Sequence, residues 1–238
     1  MKKAMAPPVE TLALLEQIHP DAHCELDHEN AFQLLIATVL SAQTTDVSVN
    51  KATPKLFALY KDAAALAKAD PADVEPLISM LGFFRQKTKS IIGLCRMLVD
   101  EHGGEVPKTM ADLVALPGVG RKTANVVLGV IWNTPDGVVV DTHVQRISQR
   151  LGWTKNTEPA KIERDLNDLL PRVEWDRTSH LLIFHGRRIC FARKPDCAGC
   201  RLNKVCPSAF HAENVGRKRT RAAGQARGPA PTTNKTHS

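Results

Sequence analysis

An all-α fold is predicted by three features of the sequence. Between residues 10 and 173, apolar side chains recur at spacings of three and four, as in Leu34, Leu35, Thr38 and Val39 or in Leu166, Leu169 and Leu170, the period of a helix that buries one face. The segments carrying that period are punctuated by Pro, Gly and Asp, residues that open and close helices. Strand signals are scarce: the one β-looking run is GVVVD at residues 137–141, and it leads into THVQRISQRL, where Val144, Ile147 and Leu151 mark one helical face. The pattern accommodates about ten helices. The loop NTPDG, residues 133–137, divides them into an earlier and a later group and is a candidate domain boundary. With 238 residues, 43% of them hydrophobic, the chain can fill one large core or two small ones.

From the N-terminus, MKKAMAPPVE carries two lysines with no apolar stretch behind them, and no apolar run is long enough to span a bilayer. A cytoplasmic protein with no membrane partner is expected, nucleoid-associated in a prokaryote. SAQTTD, residues 41–46, reads as a helix end followed by a helix capped near Thr45 or Asp46. In LPGVGRK, residues 116–122, the proline fixes one dihedral and the two glycines permit conformations that a side chain would block. Such a turn presents bare amides, and those of Gly118, Val119 and Gly120, next to a helix N-terminus, suit a phosphate. Arg121 and Lys122 beside them favour DNA over a plain helix connection.

Lys122 sits at the helix end where the macrodipole disfavours a cation. Ala124, Val127, Leu128 and Ile131 form the apolar stripe of that helix, and Lys122 points away from it. A nucleophilic amine must be unprotonated, so a cleft-facing lysine at this end is a candidate nucleophile. Asp141, just before Thr142, is a favourable helix N-cap. A carboxylate held ionised by backbone donors can also stabilise a developing sugar cation and assist proton transfers, if the fold brings it to Lys122.

Four of the six cysteines, Cys190, Cys197, Cys200 and Cys206, lie within seventeen residues as C-x6-C-x2-C-x5-C. In a reducing compartment this spacing reads as a soft-metal site, zinc or an iron-sulfur cluster. Only one short Cys-x2-Cys knuckle is present, which favours iron-sulfur; two disulfides are the lesser alternative. Cys24 and Cys95 read as ordinary buried thiols. The formal charge is +7, with six Lys/Arg against Glu213 alone in residues 211–238, so about +2 remains elsewhere. The excess predicts a polyanionic partner, and the small-residue-rich tail is expected to be a basic, disordered segment.

Four stretches, LLIATVLSAQTTDVSVNKA, LPGVGRKTANVVL, VDTHVQR and HGRRICFARKPDCAGCRLNKVC, together resemble the endonuclease III family of helix-hairpin-helix DNA glycosylases over about residues 12–207. The resemblance implies two α-helical domains with a DNA-binding cleft between them. Residues 24–135 would be a six-helix domain carrying the hairpin; residues 1–23 and 136–210 would form the other, which holds a [4Fe-4S] cluster, and 211–238 would follow as the tail. It further implies Cys190, Cys197, Cys200 and Cys206 as cluster ligands, Lys122 as Schiff-base nucleophile and Asp141 as its carboxylate partner. The implied activity is excision of oxidised pyrimidines and strand cleavage on double-stranded DNA containing damaged bases or abasic sites, by a monomer. Gln43 is similar to the residue that fills the gap left by a flipped base. Phe83, where relatives often carry leucine, falls at the opposite-strand wedge, and His143, Arg193 and Lys194 are implied DNA contacts. Two other readings compete: a mismatch-specific glycosylase of the same superfamily, and a non-catalytic DNA-binding iron-sulfur protein. Adenine-specific members carry glutamate where Thr38 stands and lack the lysine, so Thr38 and Lys122 oppose the first; Lys122 with Asp141 opposes the second.

Overall fold

The computed structural model describes residues 5–215, which form eleven α-helices and two short 3-10 turns, with no β-strand among them. α1 (Pro8–Ile18) opens with proline in its first turn, where the missing N–H costs nothing. α2 (Ala31–Leu40) is buried on nearly every side, consistent with its largely apolar sequence, and Asn30 caps it by accepting from the Gln33 amide. α3 (Asp46–Leu59), α4 (Ala63–Ala67), α5 (Pro71–Ile78) and α6 (Phe84–His102) follow. The hairpin joins α7 (Met110–Ala115) to α8 (Arg121–Trp132). α9 (Thr142–Leu151), α10 (Pro159–Leu169) and α11 (Trp175–Arg188) complete the set.

Two separate apolar cores divide these helices. One is built from α2 to α8, around Leu34, Leu35, Leu56, Ile91, Leu98 and Val127. The other combines Leu12 and Leu15 of α1 with Val144, Ile147, Leu166, Leu181 and Phe184 of α9, α10 and α11. The chain crosses between them twice, near residues 23–26 and 133–138. The second crossing is pinned by buried Asn125, whose amide donates to the Gly137 carbonyl and whose oxygen accepts from the Asp136 amide.

The β-looking run remains extended without becoming a strand. No neighbouring strand exists among the described residues to pair with it, so side chains meet its amides: Asn167 accepts from Val138, and Ser179 from Val139, each at 2.9 Å. The fold also continues five residues beyond the boundary expected at 210. Ala212 is buried, and the Val215 carbonyl accepts from Arg150 at 3.2 Å. Residues 216–238, most of the basic tail, lie outside the described residues. No helix among the described residues is long and apolar enough to cross a membrane.

Candidate active site and cysteine pocket

Between the two cores lies a pocket of about 670 Å³, open to solvent, lined by groups from both. α2 contributes Thr38, the start of α3 contributes Asp46, and α8 contributes Lys122 and Val126, one helical turn apart. The second unit adds Asp141 ahead of α9, and Asp176, His180 and Arg187 from α11. Lys122 is thus exposed on the cleft side of α8, while Ala124, Val127 and Leu128 are buried on the other. The stripe read from the sequence holds.

Asp141 does cap α9. Its Oδ1 accepts from the amides of His143 at 2.7 Å and Val144 at 2.8 Å, and its Oδ2 pairs with His143 Nδ1 at 2.9 Å. Burial alone would push the carboxyl up, but the hydrogen bonds from His143 and Val144 and the nearby charges of His143 and Lys122 outweigh it and hold the group below its ordinary value. Lys122 and Asp141 therefore face one pocket with Asp141 fixed as an anion. His143 is committed to Asp141.

The hairpin departs from expectation in two places. Gly118 takes a left-handed φ of +79° and packs so closely on α6 that a Cβ would approach Ser90 Cβ to 3.0 Å. The Val119 amide is spent on the Leu116 carbonyl, and its side chain is buried in the first core. The amides left without a partner among the described residues are those of Gly118 and Gly120, next to the α8 N-terminus, which no side chain caps. Arg121, expected to stand ready for phosphate, instead pairs with Glu163 at 2.7 Å and Asp136 at 2.9 Å. The partner on α10 lies 42 residues away, beyond reach of local sequence reading.

Two exposed tips flank this region. Gln43, at φ +56° between α2 and α3, and Phe83, at φ +58° before α6, both hold a left-handed backbone rarely taken by non-glycine residues. Phe83 is 70% exposed, far above what an aromatic normally leaves in water. Lys87, buried at 6%, donates to the Thr44 hydroxyl at 2.6 Å and so ties the turn after Gln43 to the helix after Phe83. Arg193 and Lys194 are exposed in the cysteine loop, where Lys194 also has a left-handed φ and its amide donates to Glu213.

The four clustered cysteines carry free thiols and line one pocket together with Arg150 and His185. Fully buried Arg150 donates to the Cys190 sulfur at 3.1 Å and to the carbonyls of Cys190, Phe191 and Ala192. His185 lies 3.6 Å from the Cys200 sulfur. Burial pushes the Cys200 thiol up to about 11, and the three neighbouring cysteines add to the rise. No three Cys, His, Asp or Glu side chains among the described residues converge on one ion-sized point. Four thiols lining one pocket, beside a guanidinium that favours thiolate, are the donor set of a soft-metal group. Cys95 is buried in the first core, as expected. Cys24 is only half-buried and lines the interdomain pocket.

Sequence reasoning missed the pocket residues Glu25, Asp46, Asp176, His180 and Arg187. Asp46 read as a helix-start acid, and Arg187, though inside HGRRIC, showed no sign of which side of α11 it occupies.

The sequence matches the model of the HhH-GPD superfamily of base excision DNA repair proteins over residues 36–172. It is 54% identical over 200 residues to the endonuclease III of Synechocystis sp., covering 84% of this chain and 91% of that protein. Its structure is similar to that of a non-covalent endonuclease III–DNA complex, with TM-score 0.79 and 43% identity over 84% of this chain and 93% of that one. A trapped endonuclease III–DNA covalent intermediate matches with TM-score 0.79 and 42% identity over 87% and 96% of the two chains. Similarity of this degree over most of each chain, with the superfamily model spanning more than half of this one, means that the chain belongs to the endonuclease III family of HhH-GPD base excision DNA repair proteins.

Proposed function

We propose that this protein is a bifunctional DNA glycosylase and AP lyase of base excision repair, acting on duplex DNA that contains oxidised pyrimidines or abasic sites. The observation that carries the reading is Lys122 and the anionic Asp141 lining one pocket between two helical units, beside an uncapped helix N-terminus. A trapped covalent endonuclease III–DNA intermediate among similar structures supports a mechanism with a covalent enzyme–DNA step.

A damaged nucleotide flips into the pocket, most cheaply where damage has weakened its stacking. The Lys122 amine attacks the sugar C1′ as the bond to the base breaks, and the base leaves with the electron pair and takes a proton. Asp141 stabilises the positive charge that develops on the sugar and assists the proton transfers. The C1′–O4′ bond then breaks, O4′ taking its electron pair and a proton, and the amine becomes an imine that acidifies the C2′ proton; removal of that proton expels the 3′ phosphate by β-elimination, and water then releases Lys122. One amine thus serves both activities.

The amides of Gly118 and Gly120 and the N-terminus of α8 hold a phosphate of the flipped strand. Val119 contributes only by shaping the turn. Arg121 braces α8 against α10, and His143 orients Asp141. Gln43 fills the gap left by the flipped base, and the aromatic Phe83 wedges into the opposite strand. Arg193 and Lys194 meet phosphates beyond the lesion. Cys190, Cys197, Cys200 and Cys206 hold a [4Fe-4S] cluster, which when bound braces the loop bearing those two cations. The hairpin unit takes in residues 24–135, the cysteine unit residues 1–23 and 136–215, and the enzyme works as a cytoplasmic, nucleoid-associated monomer.

The test is trapping with borohydride on a duplex containing one oxidised pyrimidine. Wild type gives a covalent protein–DNA band and a cleaved strand; Lys122→Ala gives neither but retains DNA binding. Normal cleavage by the variant would remove Lys122 from the mechanism.

A further inference from the structure

Asp46 has no part in the chemistry described above, yet it lies in the same pocket as Lys122 and Asp141. Its carboxylate is held from one side only. Arg187, reaching across from α11 in the second unit, donates to Asp46 Oδ2 at 2.9 Å and pairs through its other arm with Glu25. Asp46 Oδ1 has no partner among the described residues. Asp141, by contrast, spends both oxygens on His143 and Val144.

Resting on the glycosylase reading, we propose that Asp46 is a specificity-determining residue whose free oxygen accepts a hydrogen bond from a ring hydroxyl of a flipped, ring-saturated pyrimidine. Arg187 is its positioning residue. The pocket is rich in acceptors: Glu25, Asp46, Asp141 and Asp176 line it against the two cations Lys122 and Arg187. A thymine glycol carries hydroxyl donors on C5 and C6. An intact thymine offers a methyl group and no hydroxyl there, and would strip water from Asp46 Oδ1 while giving nothing back.

Asp46 is already partly desolvated, with its side chain 25% exposed. Burial pushes its carboxyl up, with Lys122 countering the rise. An acceptor in that condition discriminates strongly between a base that donates to it and one that does not. Selection against undamaged pyrimidines would then come from an unpaired carboxylate, in addition to the weaker stacking of damaged bases.

Single-turnover excision separates these contributions when three duplexes are compared: thymine glycol, dihydrothymine and a preformed abasic site. Dihydrothymine has the same saturated ring and ring N–H groups but no hydroxyls. Wild type is expected to favour the glycol over dihydrothymine. Asp46→Ala should shrink that preference by roughly tenfold or more, with the glycol also losing most relative to the variant's own rate at the abasic site. Asp46→Asn, which keeps the shape of the side chain and one acceptor oxygen, should fall between the two. Because each ratio is internal to one protein, a partly unfolded variant still gives a readable answer. An unchanged glycol-to-dihydrothymine ratio in both variants, or a wild type that treats the two bases alike, would overturn the assignment. A wild type inactive on all three duplexes would instead refute the glycosylase reading beneath it.

Discussion

Asp141 shows how a single residue can serve the fold and the chemistry with the same atoms. Its hydrogen bonds to the His143 and Val144 amides satisfy two of the unpaired donors at the start of α9. The same bonds keep the carboxylate charged in a place where burial opposes charge. Replacing it with alanine removes the cap and should cost roughly 0.5–2 kcal/mol at neutral pH. Asp141→Asn should cost less, because the amide oxygen still caps. The pH dependence follows from the sign of the shift. A carboxyl held below its unfolded value stabilises the native state above about pH 4 and loses that contribution as pH falls through its folded value. The stability gap between wild type and Asp141→Asn, measured by chemical denaturation from neutral pH downward, should therefore narrow in acid; a gap that widened would mean that burial, and not the His143 and Val144 bonds, dominates the site.

The helix pair α9 and α11 carries the connection between the two pockets, and a glycine permits it. A Cβ on Gly186 would meet Arg146 Nη2 at 2.8 Å and His143 Cβ at 3.0 Å. Arg146 in turn donates to the carbonyls of Gly186 and Cys190, so the close approach sets both the orientation of His143 beside Asp141 and the start of the cysteine loop. Gly186→Ala should destabilise by roughly 1–3 kcal/mol and lower cleavage more than DNA binding. Gly93 in the middle of α6 supplies the opposite case: its nearest neighbour would be Pro117 at an ordinary 3.7 Å, so Gly93→Ala should be neutral or stabilising by up to about 1 kcal/mol. Thermal denaturation of the two variants would reveal the difference in sign; equal losses would contradict the packing described for Gly186. Sequence alone shows two glycines in helical patterns and cannot tell them apart. What it does reveal is local: the period of α2 and α8, the Asp141 cap, the hairpin turn and the cysteine spacing each depend on neighbours a few residues away. Arg121 with Glu163, Arg187 with Asp46 and the extended run at 138–140, whose amides meet Asn167 and Ser179, are settled by segments far apart in the chain, which no local pattern encodes.

At the scale of the whole molecule, two cores that share no buried residue meet along a cleft, and the groups that matter come from both sides of it. Such a division suits an enzyme that must admit a polyanion while holding the reacting atoms in a fixed frame. Recognition then separates into two kinds. The pocket reads the base through a few placed acceptors, whereas affinity for the duplex comes from cations that neutralise phosphates regardless of sequence. Residues 216–238 contain six Lys/Arg and no acid, a large share of the net +7. If those cations bind DNA, removing the segment should reduce the slope of log affinity against log salt by about 0.9 for each phosphate that is no longer neutralised. The preference between thymine glycol and dihydrothymine should not change, because neutralising backbone phosphates carries no information about the base. Fluorescence anisotropy across a salt series, on lesion and undamaged duplexes alike, measures the slope. A parallel decrease on both duplexes would place the tail in non-specific capture, while an unchanged slope would leave phosphate binding to the hairpin, Arg193 and Lys194.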